Sequence, residues 1–466
     1  MKNLLVGILI PGVLAVLGIV LLVSWTGVGP VESLQARVPG LDRPGSVAER
    51  PAVPPVAELT TFDGVAAEAS GSWPRFRGGR FDNICADGIE LARQWPEDGP
   101  EVLWLLELGE GHAGAAVFNG RVYVLDYDRE NEADALRCFS PTDGGEIWRV
   151  SYPNVVKRNH GMSRTVPALT EDYCLTLGPK CHVMCVHPTT GEPYWPHVLD
   201  LVNTYGATVP PWYAGQCPLI DGDRAILAPG GDALLIALEC KTGNLIWKSP
   251  NPKAWVMTHS SIMPMEFAGR KMYVYCGKGG VAGVAADDGS LLWQTTAWKI
   301  AIATCPSPVI LPEGKIFCSG GYNSGAVMLQ LKENGEKIDV ETAFRLKPRQ
   351  FGSTQQTPIF LNGYLYGVRE KDKELVCLDL EGKEVWASGS QHRFGAGPYL
   401  IADGMIYVLD DDGLLTLAEA MPDEYRQLAQ ARVLDGHDSW GPMAMVDGKL
   451  ILRDLTRMAC LDVRKK

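Results

Sequence analysis

Catalytic signatures are what this sequence most conspicuously lacks. Across 466 residues there is no H-E-x-x-H pair, no phosphate-binding glycine loop and no nucleophile elbow. Zinc-protease, nucleotide-driven and serine-hydrolase chemistry therefore have no basis in its motifs. Ser163 lies near His160, but adjacency without a third partner does not make a triad. Twelve cysteines are present, yet none is adjacent to another and no C-x-x-C occurs. The nearest approach to a metal set is Cys181 and Cys185, with His182 and His187 nearby. No basic cluster follows the N-terminus, and the net charge is −12. That balance argues against nucleic acid or an anionic lipid surface as the main partner.

Only one long apolar run is present, and it comes first. Residues 4–23, LLVGILIPGVLAVLGIVLLV, carry no charge and follow Lys2. Twenty residues at ~1.5 Å rise reach roughly 30 Å, enough for a bilayer core. Lys2 predicts an inside N-terminus and an extracytoplasmic remainder. The run exceeds a usual signal-peptide core and no A-x-A pattern follows, which favours an uncleaved anchor over a cleaved leader. Residues 1–29 are thus expected to be a single transmembrane signal-anchor in the inner membrane. Residues 30–72 are expected to be a Pro-rich flexible linker.

What the remaining sequence has in abundance is repetition. A glycine followed four residues later by tryptophan recurs at Gly144/Trp148, Gly191/Trp195, Gly243/Trp247, Gly289/Trp293 and Gly382/Trp386. A missing copy is expected near Ile338, where the turn NGEKI has no tryptophan. Earlier turns such as Asn119-Gly120, Asp221-Gly222, Asn362-Gly363 and Asp447-Gly448 separate alternating apolar segments, as hairpins require. A third segment follows, with Cys138, Cys185, Ala237, Gly283, Cys377, Thr416 and Cys460 in one slot. Interchange with Ala and Gly reads as crowded packing rather than as metal or disulfide chemistry.

Four strands per 40–50 residues specify a propeller blade. The final unit stops after three strands, and an unpaired strand containing Trp104 precedes the first unit. The N-terminal strand should complete the C-terminal blade and remove an exposed edge. The prediction is an all-β, eight-bladed propeller of four-stranded antiparallel blades over residues 73–466. Outer-strand slots fall at five further tryptophans besides Trp104, near Ile338 and near Arg432. The stretch MPDEYRQLAQARV before Arg432 is expected to form a short helix.

These motifs resemble the pyrroloquinoline-quinone-like (PQQ-like) β-propeller repeat family, in particular membrane-anchored bacterial, planctomycete-type members. The resemblance is carried by SWPRFRG at residues 72–78, LWLLELGEGHAGAAVFNGRVYVLD, TGNLIWK, ELVCLDLEGKEVW, YRQLAQARVLDG and GPMAMVDGKLILRD. It implies two functional types. Quinone-dependent dehydrogenases of the superfamily have an adjacent Cys–Cys pair, a calcium ion held by acidic and amide side chains, and an acidic base. No such pair occurs here, and no residues map onto the calcium site. The superfamily's outer-membrane assembly lipoprotein is a non-enzymatic scaffold, although this chain has no lipobox cysteine. The leading expectation is an extracytoplasmic binding or scaffold module for a protein or small ligand. The alternative is a divergent oxidoreductase using pyrroloquinoline quinone and calcium.

Loops entering the first strand of each blade should converge on the central funnel. They carry His112, His160, Arg164, His259, Gln356, His392, His437 and Trp440. This ring reads either as a ligand pocket or as a solvated polar rim, with no catalytic or metal role assigned. Asp126-Tyr127-Asp128 and Asp410-Asp411-Asp412 resemble calcium ligands, but lack the spacing of a calcium loop. They are expected to be solvated turns.

Overall fold

A computed structural model describes residues 10–26, 54–68 and 71–466. The chain divides into two units, residues 1–49 and 50–466. In the first, helix α1 (Ile10–Thr26) has 17 residues, a length of roughly 26 Å. Among the described residues no helix is long and apolar enough to cross a membrane. Residues 4–9, which begin the expected span, lie outside the described residues.

The second unit contains eight β-sheets, each built on four antiparallel strands. The first strands of the blades are Ala116–Phe118, Ala168–Leu169, Leu219–Asp221, Met263–Phe267, Val309–Ile310, Ile359–Leu361, Tyr399–Ala402 and Ala444–Val446. The fourth strand of the eighth blade comes from far upstream: Glu101–Glu107 pairs with Arg457–Asp462, with Trp104 opposite Cys460.

Most of the repeated tryptophans join one blade to the next, whereas Trp293 donates to Met272 Sδ within its own blade. Trp104, Trp148, Trp195, Trp247 and Trp386 donate their indole N–H groups to the carbonyls of Pro141, Thr189, Cys240, Ala286 and Met421 respectively. Each acceptor belongs to the following blade's turn region. At the first four, the turn glycine lies against the same ring. A Cβ on Gly289 would sit 2.4 Å from Trp247, and Gly289 has φ +75°. The Gly-x-x-x-Trp spacing thus encodes a turn that receives the preceding tryptophan and a tryptophan passed to the next blade. Within a blade that tryptophan covers the small-residue slot, as in Cys138 opposite Trp148, Ala237 opposite Trp247 and Gly283 opposite Trp293. A larger residue at Gly283 would collide with the indole, its Cβ lying 2.2 Å from Trp293 Nε1.

Two tryptophan-free slots differ from expectation. In blade 5 the third and fourth strands, Gly325–Asn334 and Lys337–Leu346, each run ten residues. That extension moves the slot from Ile338 to Phe344, which faces Met328 next to the bulge found at this point in other blades. Phe344 also meets Gly382 as a tryptophan would. In blade 7 the expected helix is instead the strand Gln427–Arg432. Its slot is filled by Ala429 opposite Leu417, not by Arg432. Pairing with Leu414–Glu419 satisfies that strand's edge and overrides the helical spacing of the segment.

Part of the expected linker is folded. Glu58–Thr61 adds a fifth strand to blade 1 by pairing with Glu146–Pro153, and the Pro55 carbonyl accepts from Val198 N–H. The outer edge of blade 1 is therefore covered by the chain itself. Residues 30–53 and 69–70 lie outside the described residues.

A segment near residues 73–92 runs along the inner strands. Trp73 exchanges two backbone hydrogen bonds with Val117 of blade 1, and the Pro74 carbonyl accepts from Leu169 of blade 2. Arg75 reaches the Ile220 carbonyl of blade 3 at 3.4 Å. Arg77, 3% exposed, donates to the Thr357 and Pro358 carbonyls of blade 6, and to those of Phe81 and Asp82 in its own loop. Ile84–Cys85 then adds in parallel to Tyr399–Ala402 of blade 7. Asp87 accepts from Asp447 N–H of blade 8. One short segment thus ties together six blades, and it crosses the channel of the ring.

Candidate functional site

The loops that enter the first strands do converge. They enclose a cavity of about 360 Å³. Of the eight predicted residues, His112, His160, Arg164, His259, Gln356 and Trp440 line it. His392 and His437 do not. His392 packs against Tyr425 with ring centroids 5.1 Å apart, because its loop turns toward the outer strand of blade 7. His437 is exposed and pairs with Asp438 at 3.4 Å.

The wall is preorganised by hydrogen bonds between neighbouring loops. Trp440 Nε1 donates to Asp411 at 2.7 Å, and its ring stacks on His112 with centroids 5.2 Å apart. Gln356 Nε2 donates to the Trp440 carbonyl at 3.0 Å. His112 Nε2 lies 2.9 Å from the His160 carbonyl, to which it can donate in the Nε2-protonated tautomer. Burial, with help from the Arg164 and Arg453 guanidinium groups, lowers the His112 pKa to about 3. Burial and Arg164 likewise lower His259 to about 4, against the opposing carbonyls of Trp212 and Tyr213. Both imidazoles are therefore neutral near pH 7.

Arg164 is the one arginine or lysine in the lining among the described residues. It bridges three loop carbonyls: Nε to Trp212 at 2.5 Å, and Nη2 to Asn159 and His160 at 2.9 Å each. Burial lowers its pKa to about 10, so it remains charged. Among the described residues no carboxylate lines the cavity. The Cys305 thiol is pushed up to about 12 by burial, so it is neither thiolate nor nucleophile at neutral pH.

Sequence reasoning also placed Gln355 in these loops, but missed other lining residues, among them Phe76, Trp212, Cys305 and Tyr322. Trp212 lies in the same class of loop as the residues it found. Phe76 could not be found from the repeat, because it belongs to the channel-crossing segment. The aspartate clusters also differ from solvated turns. Asp126 is 4% exposed, accepts from Gly109 and Tyr127 N–H, and pairs with Arg137 at 3.1 Å. Asp411 supports Ala396 N–H as well as Trp440. Both are internal acceptors that fix loop shape.

These residues do not fit the calcium and quinone of the dehydrogenases. Calcium takes six to eight oxygen ligands, carboxylates prominent among them, and the cavity supplies none of the latter. Among the described residues, no group of three or more His, Cys, Asp or Glu side chains could hold a metal ion. Cys181 and Cys185 are wholly buried among apolar side chains of blades 2 and 3. Pyrroloquinoline quinone carries three carboxylates, against the single guanidinium here.

The family described as outer membrane protein assembly factor BamB matches residues 132–381, more than half of the chain. The chain belongs to this PQQ-like family. Among solved structures, BamB from Moraxella catarrhalis aligns over 87% of this chain and 100% of that one, at 12% identity and a TM-score of 0.50. Quinohemoprotein alcohol dehydrogenase from Comamonas testosteroni aligns over 86% and 82% respectively, at 13% identity and a TM-score of 0.44. At these identities the likeness to the BamB structure shows the fold alone. No curated protein matches the chain.

Proposed function

We propose that this BamB-family propeller is an extracytoplasmic, membrane-tethered binding and scaffold module, its ring closed by the Trp104 strand. It engages a protein or small ligand through the funnel face. The observation that carries the reading is the cavity itself. Six blade-entry loops contribute His112, Arg164, Trp212, His259, Gln356 and Trp440 to one wall, braced by bonds between loops, without a carboxylate or activated nucleophile. Such a wall is suited to recognition: among the described residues it is lined by no carboxylate, and its buried Cys305 is not a thiolate at neutral pH. The uncharged run at residues 4–23 supports the tether, and alkaline extraction leaving the full chain in the membrane pellet would test it.

The site is tested by replacing His259 and Trp440 together with alanine and comparing cross-linked pull-downs from the native host. The double variant is expected to lose the partners that the wild type retains. An unchanged partner set would contradict assignment of the funnel. Calorimetric titration with pyrroloquinoline quinone and Ca²⁺ is expected to show no binding, since the donor set fits neither.

A further inference from the structure

Three arginines inside the propeller form no ion pair among the described residues: Arg77 and Arg453, which are buried, and Arg164, which is half-buried. Two of them are internal clamps. Arg77 and Arg453 use all three guanidinium nitrogens on backbone carbonyls. Arg164 differs. Its Nε and Nη2 are used, while Nη1 makes no hydrogen bond among the described residues, and it alone of the three lines the cavity. A fixed guanidinium whose Nη1 remains free, in a cavity lined by no carboxylate among the described residues, can donate a charge-assisted hydrogen bond to one anion, and a carboxylate oxygen suits it.

The rest of the wall describes what is attached to the carboxylate. Gln355 Oε1 is a buried acceptor with no partner, as is His259 Nε2 in its neutral form when Nδ1 carries the proton. These can receive amide N–H groups. Phe76, Trp212 and Trp440 supply apolar faces. The channel-crossing segment that contributes Phe76 leaves a cavity of about 360 Å³, which suits a chain end rather than a segment running through.

We infer that the funnel captures the C-terminal carboxylate of a polypeptide with a large apolar or aromatic last residue, Arg164 holding the carboxylate and Gln355 a backbone amide. This deepens the binding-module reading above and rests on it. The same carboxylate chemistry could be offered by a free aromatic acid, so the test separates the two sources.

The full chain in detergent is titrated with three probes: a six-residue peptide ending in phenylalanine as the free acid, the same peptide as its C-terminal amide, and N-acetylphenylalanine. The acid peptide is expected to bind at least tenfold more tightly than the amide, and more tightly than N-acetylphenylalanine. A charge-assisted hydrogen bond from Nη1 accounts for roughly that factor. In Arg164→Met the acid and amide peptides should bind alike, and in Arg164→Lys part of the difference should return. Equal binding of acid and amide by the wild-type chain, or binding of neither, overturns the inference without relying on any variant's folding. N-acetylphenylalanine binding as tightly as the peptide overturns the polypeptide source. Should the His259/Trp440 double variant lose its partners while acid and amide remain indistinguishable, the funnel reading stands and this inference falls.

Discussion

Arg77→Met is expected to destabilise the propeller by about 3 kcal/mol or more, measured as a loss of unfolding free energy in urea. The guanidinium satisfies four carbonyls at once, two of them on Thr357 and Pro358 of blade 6 and two in its own loop. Methionine fills similar space but donates nothing. Each buried acceptor left without a partner costs ~1–3 kcal/mol, partly relieved where water enters. The effect should reach beyond the local loop, because residues on either side hold Val117, Leu169 and Tyr399. Proteolysis near residues 73–92 should accelerate in the same variant. A change below about 1 kcal/mol would mean that this segment lies on the ring without bracing it.

The second large effect is on pH dependence, where two kinds of buried group act in opposite directions. Folded His112 and His259 take up protons only near pH 3 and 4, whereas unfolded imidazoles do so near 6.5. Across that window the unfolded chain binds more protons, so stability is lost as pH falls. Asp134 is the reverse case. Burial raises its carboxyl to about 7, outweighing the hydrogen bonds from Asn154 and Tyr152. The folded state then binds the extra proton, and this contribution is lost as pH rises from about 4 through 7. Asp134→Asn removes only the second component. Its stability relative to wild type should therefore rise by about 2–3 kcal/mol between pH 5 and pH 8. Denaturant midpoints of both proteins across that range decide it; a difference that does not vary with pH would contradict the assignment.

Most of the architecture could be read from the chain because its stabilising contacts repeat. A tryptophan that must donate to the next blade, and a glycine that must accept its ring, leave a fixed spacing at Gly144/Trp148 and its copies. The reading weakened where the same contact is made by other residues. Phe344 replaces tryptophan at the end of a longer hairpin, and Ala429 replaces it in a strand whose spacing mimics a helix. The site was partly legible for the same reason. Blade-entry loops begin at predictable places, so six of eight rim residues meet there. His392 and His437 failed because loop position fixes where a Cα lies, not which way its side chain turns. The channel-crossing segment lay outside the repeat, so nothing periodic marked Phe76 or Arg77. Asp126 and Asp411 looked like solvated acids in sequence, because their backbone partners at Gly109 and Ala396 are brought to them only by the fold.

The claim underlying the whole account is that recognition takes place at the funnel and not along the outer edges of the blades. Photo-cross-linking in the native host tests this most directly, with a benzoylphenylalanine placed singly at Trp212, Tyr322, Val102 or Leu245. The first two line the cavity, and the last two are exposed on outer strands of blades 8 and 3. Adducts from Trp212 and Tyr322, with none from Val102 and Leu245, are the expected result. Adducts confined to the outer strands, or the same pattern at all four positions, would contradict it.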